Sequence, residues 1–169
     1  MLENLWPEKD WASEHLKDTP KRFARMLKEL TTPEPFTFTT FPSDSDEMVI
    51  CKDITFNSLC AHHLVPYMGI AHVAYIPSGY IVGLSKIPRL IRCTASDLTV
   101  QEDLTERIAR TIEDNLCPVG VGVVMEAEHM CATLRGVKAA GMKTITSCMR
   151  GAFADHNKLA RAEFLQFIK

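Results

Sequence analysis

Three side chains that suit a single metal ion stand far apart in this chain, and a fold that uses them must bring them together. Cys60 and His63 are three residues apart in Ser58-Leu59-Cys60-Ala61-His62-His63. Cys131 comes sixty-eight residues after His63, in Glu128-His129-Met130-Cys131. On one turn of helix, side chains at i and i+3 share a face, so Cys60 and His63 could grip one ion locally. Two thiolates and an imidazole suit zinc. Three protein ligands leave a tetrahedral ion one position for water, the pattern of catalytic rather than structural zinc. A lone Cys-x-x-His carries little weight, because cysteine is among the most buried residue types. The second cluster adds weight, as do the spare histidines His62 and His129.

At 169 residues the chain is long enough for one domain with a substantial core and too short to favour two. A hydrophobic share of 46% and a charged share of 24% are ordinary for a soluble globular protein. The net charge of −2 argues against a nucleic-acid partner bound through a broad basic surface, while leaving room for a local basic pocket. No stretch approaches the roughly 18 apolar residues of a membrane span, so no membrane partner is expected. No basic opening followed by an apolar run suggests a secretory leader. The six cysteines lack a disulfide-framework spacing. A reducing, cytoplasmic setting is therefore expected, with Cys51, Cys93, Cys117 and Cys148 filling cores.

Residues 1–17 show no clear periodicity and read as an N-terminal arm, leaving 18–169 as the domain. Asp18-Thr19-Pro20 is a helix start; Phe23, Met26, Leu27 and Leu30 follow at helical spacing, and Pro33 and Pro35 stop the helix. The basic residues between them read as a solvated face. Met48 to Phe56 alternates as a strand. Ile70 to Ile76 is a second strand, with Tyr80 to Gly83 as its hairpin partner across Pro77-Ser78-Gly79. Ile87, Leu90, Ile91 and Ala95 mark a helix. A second helix runs from Thr99, with Leu104, Ile108, Ile112 and Leu116 on one stripe. Strands are expected over Val119–Met130 and Lys143–Phe153, and a closing helix over Asn157–Ile168. This order predicts an α+β fold, an antiparallel sheet with helices packed on one face.

Other residues could carry chemistry. Ser85, Lys86 and Arg89 sit at a helix start, where free backbone donors and positive charge favour phosphate, although a cap with two solvated cations is the commoner meaning. Arg135, four residues after Cys131, could bind another part of the same anion. Gln101 and Glu102 open a helix. A carboxylate there could accept two hydrogen bonds from a guanine's ring N–H and amino group, though such a Glu more often just suits the helix dipole.

These motifs resemble GTP cyclohydrolase I. The likeness runs from Asp18-Thr19-Pro20-Lys21-Arg22 to Arg161-Ala162-Glu163-Phe164-Leu165. Between them lie the Cys60–His63 motif, Ala71-His72-Val73-Ala74-Tyr75-Ile76-Pro77, Gly83-Leu84-Ser85-Lys86-Ile87, Val100-Gln101-Glu102, Glu126-Ala127-Glu128-His129 with Cys131, and Arg135-Gly136-Val137. The resemblance implies Cys60, His63 and Cys131 as zinc ligands and His62 and His129 as catalytic histidines. It implies that Ser85, Lys86, Arg89 and Arg135 hold the triphosphate, that Gln101 and Glu102 recognise guanine, and that Arg22 reaches a neighbouring pocket. The implied fold is the tunnelling fold, its subunits joined into rings stacked as a homodecamer with active sites between subunits. The implied reaction is hydrolysis and rearrangement of GTP to 7,8-dihydroneopterin triphosphate and formate. That is a hydrolase reaction at carbon–nitrogen bonds of a cyclic amidine, and it opens tetrahydrofolate (pterin) biosynthesis. The same chemistry can feed a 7-deazaguanine pathway instead.

Three positions depart from the family pattern. Ala61 stands where Glu is usual, and Asp97 and Asp103 where Arg is frequent. A carboxylate beside a metal site often orients its neighbours, and an anion in place of a cation opposes the charge of GTP. They motivate a second reading, a nucleotide-binding paralogue with impaired turnover and a regulatory or assembly role.

Overall fold

The apolar residues of the first long strand change phase once, from Val49 and Cys51 to Ile54 and Phe56. All four can face one core only if an extra residue is inserted between the pairs. The computed structural model, which describes residues 2–154 and 159–169, contains that bulge. Strand β2 (Val49–Cys60) pairs antiparallel with β3 (Pro66–Ile76); Cys51 faces Val73 and Ile54 faces Ala71, so Lys52 and Asp53 together oppose His72. Asp53 adopts a φ of 59°, and its N–H donates to His72 Nδ1 at 3.2 Å. The bond satisfies a nitrogen on a ring that is only 5% exposed.

The main sheet has the order β5-β2-β3-β6-β7. Strands β6 (Gly120–His129) and β7 (Lys143–Gly151) continue the antiparallel pairing, while the two-residue β5 (Leu98–Thr99) lies parallel to the end of β2. The sheet is therefore mixed. Strands β1 (Thr40–Pro42) and β4 (Tyr80–Val82) form a separate antiparallel pair. This corrects the expected hairpin between β4 and β3. Both edges of β3 are occupied by β2 and β6, so the chain beyond Gly79 finds another partner. The Val82 N–H donates to the buried Tyr75 hydroxyl at 3.1 Å, which anchors β4 beside the sheet.

The helices are α1 (Leu2–Leu5), α2 (Thr19–Leu30), α3 (Lys86–Ala95), α4 (Gln101–Leu116), α5 (Met130–Thr133) and α6 (Leu159–Phe167). Helix α4 starts two residues later than its periodicity suggests, because Leu98 and Thr99 pair with Leu59 and Cys60. Helices α3 and α4 bury Ile87, Ile91, Leu104, Ile108 and Ile112 against the face that carries Val73, Tyr75, Val123 and Met125. The expectation that all helices share one face is corrected by α6. Its Phe164 packs with Phe153, Ala74 and Val124 on the opposite face. Gly122 makes room for this: a Cβ there would lie 3.0 Å from both the Phe153 and Phe164 rings. The expected start of this helix at Asn157 lies outside the described residues. Helix α2 buries none of its residues within the chain.

Candidate active site

Strands β2, β3 and β6 come together at one end of the sheet, where Tyr67 stands opposite His129 and Cys60 closes β2. The chain then leaves in a single helix-like turn, as the i, i+3 spacing suggests, which Leu64 ends at a φ of 54°. The Leu64 N–H donates to the Cys60 carbonyl at 2.9 Å, and the Cys60 N–H to the Val65 carbonyl at 2.9 Å. The Ala61 N–H donates to the Thr99 carbonyl at 3.1 Å, tying the turn to β5. Cys131 sits on the single turn of α5 that follows β6.

This arrangement brings Cys60, His63 and Cys131 together. Their ligand atoms all lie within 4.8 Å of one another, with Cys60 Sγ 3.9 Å from His63 Nδ1 and 3.8 Å from His62 Nδ1. Bonds of about 2.0–2.3 Å in a tetrahedron place ligand atoms roughly 3.3–3.8 Å apart, so a small closure accommodates zinc. The electrostatics fit the same ion. Burial pushes the Cys131 thiol up, and the neighbouring Cys60 raises it further by charge and hydrogen bond, while Arg135 draws it down. A divalent cation held at this point would favour thiolate ligands over thiols. Cys60 is buried while His62 and His63 are exposed, so the cluster opens on one side.

His129 is held on its face and on one edge. Its ring stacks on Tyr67 with centroids 4.6 Å apart and planes 3° from parallel. Its Nε2 lies 2.7 Å from Gln101 Oε1. The Tyr67 hydroxyl bonds to Thr99 Oγ1, which meets Ser58 Oγ at 2.9 Å, and Ser58 donates to the Asp97 carbonyl at 3.3 Å. Burial lowers the His129 pKa from its ordinary value, against the opposing charge of Glu102. Tyr67, Thr99 and Ser58 support this site without standing out in the sequence. Ser58 and Tyr67 lie beyond the ends of the expected strands and Thr99 at an expected helix start, so no periodicity marked them.

Glu102 is exposed beside this cluster and lines a cleft of about 440 Å³ with Thr105, Thr146, Cys148 and Arg150. Gln101, one residue earlier, is 1% exposed. Arg135 is exposed and close enough to Cys131 to lower its pKa. Ser85, Lys86 and Arg89 lie elsewhere. Helix α3 ends where Leu98 pairs with Leu59, near the metal cluster, and begins just after β4, beside Tyr75. Its ten residues span about 15 Å, so one chain does not bring Ser85 and Lys86 to Cys60. Arg89 lines a second cleft of about 370 Å³, with Asn57, Arg92, Ser96 and Glu29.

The family model for GTP cyclohydrolase I matches residues 2–169. The chain belongs to the GTP cyclohydrolase I family. The protein named GTP cyclohydrolase 1 from Bacillus pumilus is 49% identical over 162 residues, spanning 92% of this chain and 85% of that one. Its namesake from Bacillus subtilis is also 49% identical with the same coverage. That from Hydrogenobaculum is 46% identical, spanning 95% of this chain and 88% of its own. Among solved structures, the archaeosine synthase QueF-like protein in its apo form matches with a TM-score of 0.54 at 15% identity. It covers 64% of this chain and 98% of that one, a likeness of fold alone.

Against this family background, the three departures weigh less once placed. Asp97 Oδ2 pairs with Arg107 at 3.0 Å, and its Oδ1 accepts from the Leu98 N–H at 2.8 Å, so its charge is matched inside the chain. Asp103 is exposed in the first turn of α4, where a carboxylate suits the helix dipole. Ala61 engages through its backbone, and its side chain is exposed.

Proposed function

We propose that this chain converts GTP to 7,8-dihydroneopterin triphosphate and formate with the help of zinc. The observation that carries the reading is the convergence of Cys60, His63 and Cys131 to within 4.8 Å, beside His62 and His129, in a member of the GTP cyclohydrolase I family. Zinc held by these three ligands supplies a Lewis acid that makes water nucleophilic near neutral pH. The chain's own residues do the rest. Glu102 accepts hydrogen bonds from the guanine ring N–H and amino group, which orients C8 toward the metal end of the sheet. His129 moves a proton onto the imidazole-ring nitrogen as that ring opens and formate leaves. His62 serves the later proton transfers, in which the ribose opens, rearranges and closes onto the freed amine to form the pterin ring. Arg135, Ser85, Lys86 and Arg89 hold the triphosphate, pairing fixed cations and a helix N-terminus with its charge.

This division of labour requires more than one subunit, because Ser85 and Lys86 start a helix whose far end is the one near the metal cluster. Three features support a head-to-tail ring, which we take further to a homodecamer. The outer edge of β7 has no partner strand among the described residues, and β5 covers only the last two residues of β2. Unpaired edges at both sides of a sheet suit end-to-end joining of identical chains. Helix α2 also presents Phe23 and Met26, 38% and 42% exposed, and none of its residues is fully buried among the described residues. In this scheme residues 1–17 form an arm on the catalytic domain, and Arg22 reaches a neighbour's pocket. All six cysteines are free thiols, which suits a cytoplasmic enzyme; no helix of the described residues is long and apolar enough to cross a membrane.

Variants test the assignment directly. Replacing Cys131 or His63 by Ala removes a ligand and should abolish both zinc retention and pterin formation from GTP. His129→Ala should retain zinc while lowering kcat by about 100-fold or more, as expected for loss of general acid–base catalysis. A His129→Ala enzyme with undiminished turnover would contradict the role given to it.

A further inference from the structure

The side-chain amide of Gln101 has no freedom to choose its orientation. Its Nε2 lies 3.1 Å from the Met125 carbonyl, 3.0 Å from the Thr144 carbonyl and 3.1 Å from Thr146 Oγ1. Carbonyl oxygens only accept, so the group facing Met125 and Thr144 must be the NH₂. A flipped amide would set its oxygen against two others. The amide oxygen is thereby aimed at His129 Nε2, 2.7 Å away. An acceptor at that distance requires a hydrogen on Nε2. The anchors are themselves fixed: Thr105 Oγ1 meets Thr146 Oγ1 at 2.6 Å and donates to the Gln101 carbonyl at 2.7 Å.

With Nε2 carrying its hydrogen toward Gln101, the neutral imidazole has its lone pair on Nδ1. Tyr67, stacked 3° from parallel, holds the plane of the ring, so neither a flip nor a tilt is free. We propose that Gln101 is a positioning residue that acts through His129, and not a guanine ligand. It fixes the Nε2–H tautomer and makes Nδ1 the nitrogen that exchanges protons with substrate. The inference rests on the functional reading given above. It divides Gln101 from its neighbour: Glu102 faces solvent and the cleft, whereas Gln101 is 1% exposed with both amide hydrogens committed inside the protein.

Steady-state kinetics on zinc-loaded enzyme separate the two roles, with Gln101→Leu and Gln101→Glu compared against the unmodified chain. The Leu variant should lose about 100-fold in kcat with KM for GTP within about twofold, the pattern of a group that acts on catalysis and not on binding. The Glu variant, with its carboxyl O–H facing the Met125 and Thr144 carbonyls, keeps an acceptor for His129 Nε2–H and should retain about tenfold more kcat than Leu, within the range that partners of this kind control. A Leu variant whose KM rises more than about tenfold while kcat holds would restore Gln101 as a guanine contact and overturn the proposal. A second measurement does not depend on turnover or on the variant's folding. Nitrogen-15 solid-state NMR of histidine-labelled, zinc-loaded wild-type enzyme at about pH 8 reports the tautomer, with His129→Asn identifying the signal. A protonated Nε2 and bare Nδ1 support the proposal; the reverse pattern overturns it. Wild-type enzyme that gives no pterin would count against the functional reading alone, since the NMR result stands without it.

Discussion

Asp97 shows how a charge that looks misplaced in a sequence can be accounted for by its neighbours. Its carboxylate meets Arg107 at 3.0 Å, and both side chains are about half exposed, at 51% and 48%. An exposed pair of this kind contributes roughly 0–1 kcal/mol. Asp97→Ala should therefore lower stability by less than about 1 kcal/mol in urea unfolding and leave GTP turnover nearly unchanged. A large loss of turnover would show that Asp97 acts in the pocket. Ala61→Glu adds a side chain at an exposed position and leaves the backbone bond to Thr99 in place. Turnover should then change by no more than about twofold in an assay of pterin formation. A large gain would revive the reading of a chain impaired at position 61. At this scale the sequence was informative about the metal cluster, because few roles other than metal binding explain adjacent histidines with two spaced cysteines. It was nearly silent about Tyr67 and about the partners that hold the Gln101 amide. Both owe their roles to contacts between β3, β6 and α4, which no local window contains.

At the scale of elements, the same limit explains the β4 error. Pro77-Ser78-Gly79 is a sound turn signal, yet a turn cannot reveal that both edges of β3 are already occupied. Helix α4 lost Thr99 to β5 for a related reason, since pairing with Cys60 outweighed the helical period. The bulge in β2 shifts the phase between Val49, Cys51 and Ile54, Phe56, a break that the simple alternation expected for that segment passed over. It also creates a pH response. Burial holds the His72 pKa below its ordinary value of 6.5, with Asp53 and Glu126 opposing and Lys52 assisting. Because the folded value lies below the unfolded one, the unfolded chain binds the proton more tightly. The stability His72 contributes is full above pH 6.5 and is lost as pH falls through its lower folded value. Unfolding midpoints of wild type and His72→Gln should converge as pH drops below that window; parallel profiles would rule out His72 as their source. On the other face of the sheet, Gly122→Val forces Phe153 and Phe164 aside. Such overpacking costs about 1–3 kcal/mol, and a thermal-unfolding comparison with wild type should show it as a lowered midpoint.

The proposed function makes the whole molecule one part of a larger assembly. A single chain gathers the metal ligands, both histidines, Glu102 and Arg135 at one end of its sheet, and carries Ser85 and Lys86 toward the other. The apolar stripe of α2 was legible as a helix, but its exposure was not, because periodicity marks a face without saying which chain covers it. Phe23→Glu combined with Met26→Glu should weaken assembly, seen as smaller species in sedimentation velocity, with turnover falling alongside. Unchanged sedimentation would show that α2 does not lie at a subunit contact. The central claim is that the Cys60–His63–Cys131 cluster and its histidines act on GTP through zinc. The most direct test is pterin formation from GTP by the purified protein, followed by absorbance, with chelator and then with zinc restored. The account predicts product that disappears on chelation and returns with zinc. A zinc-loaded protein that binds GTP and releases no pterin would contradict it.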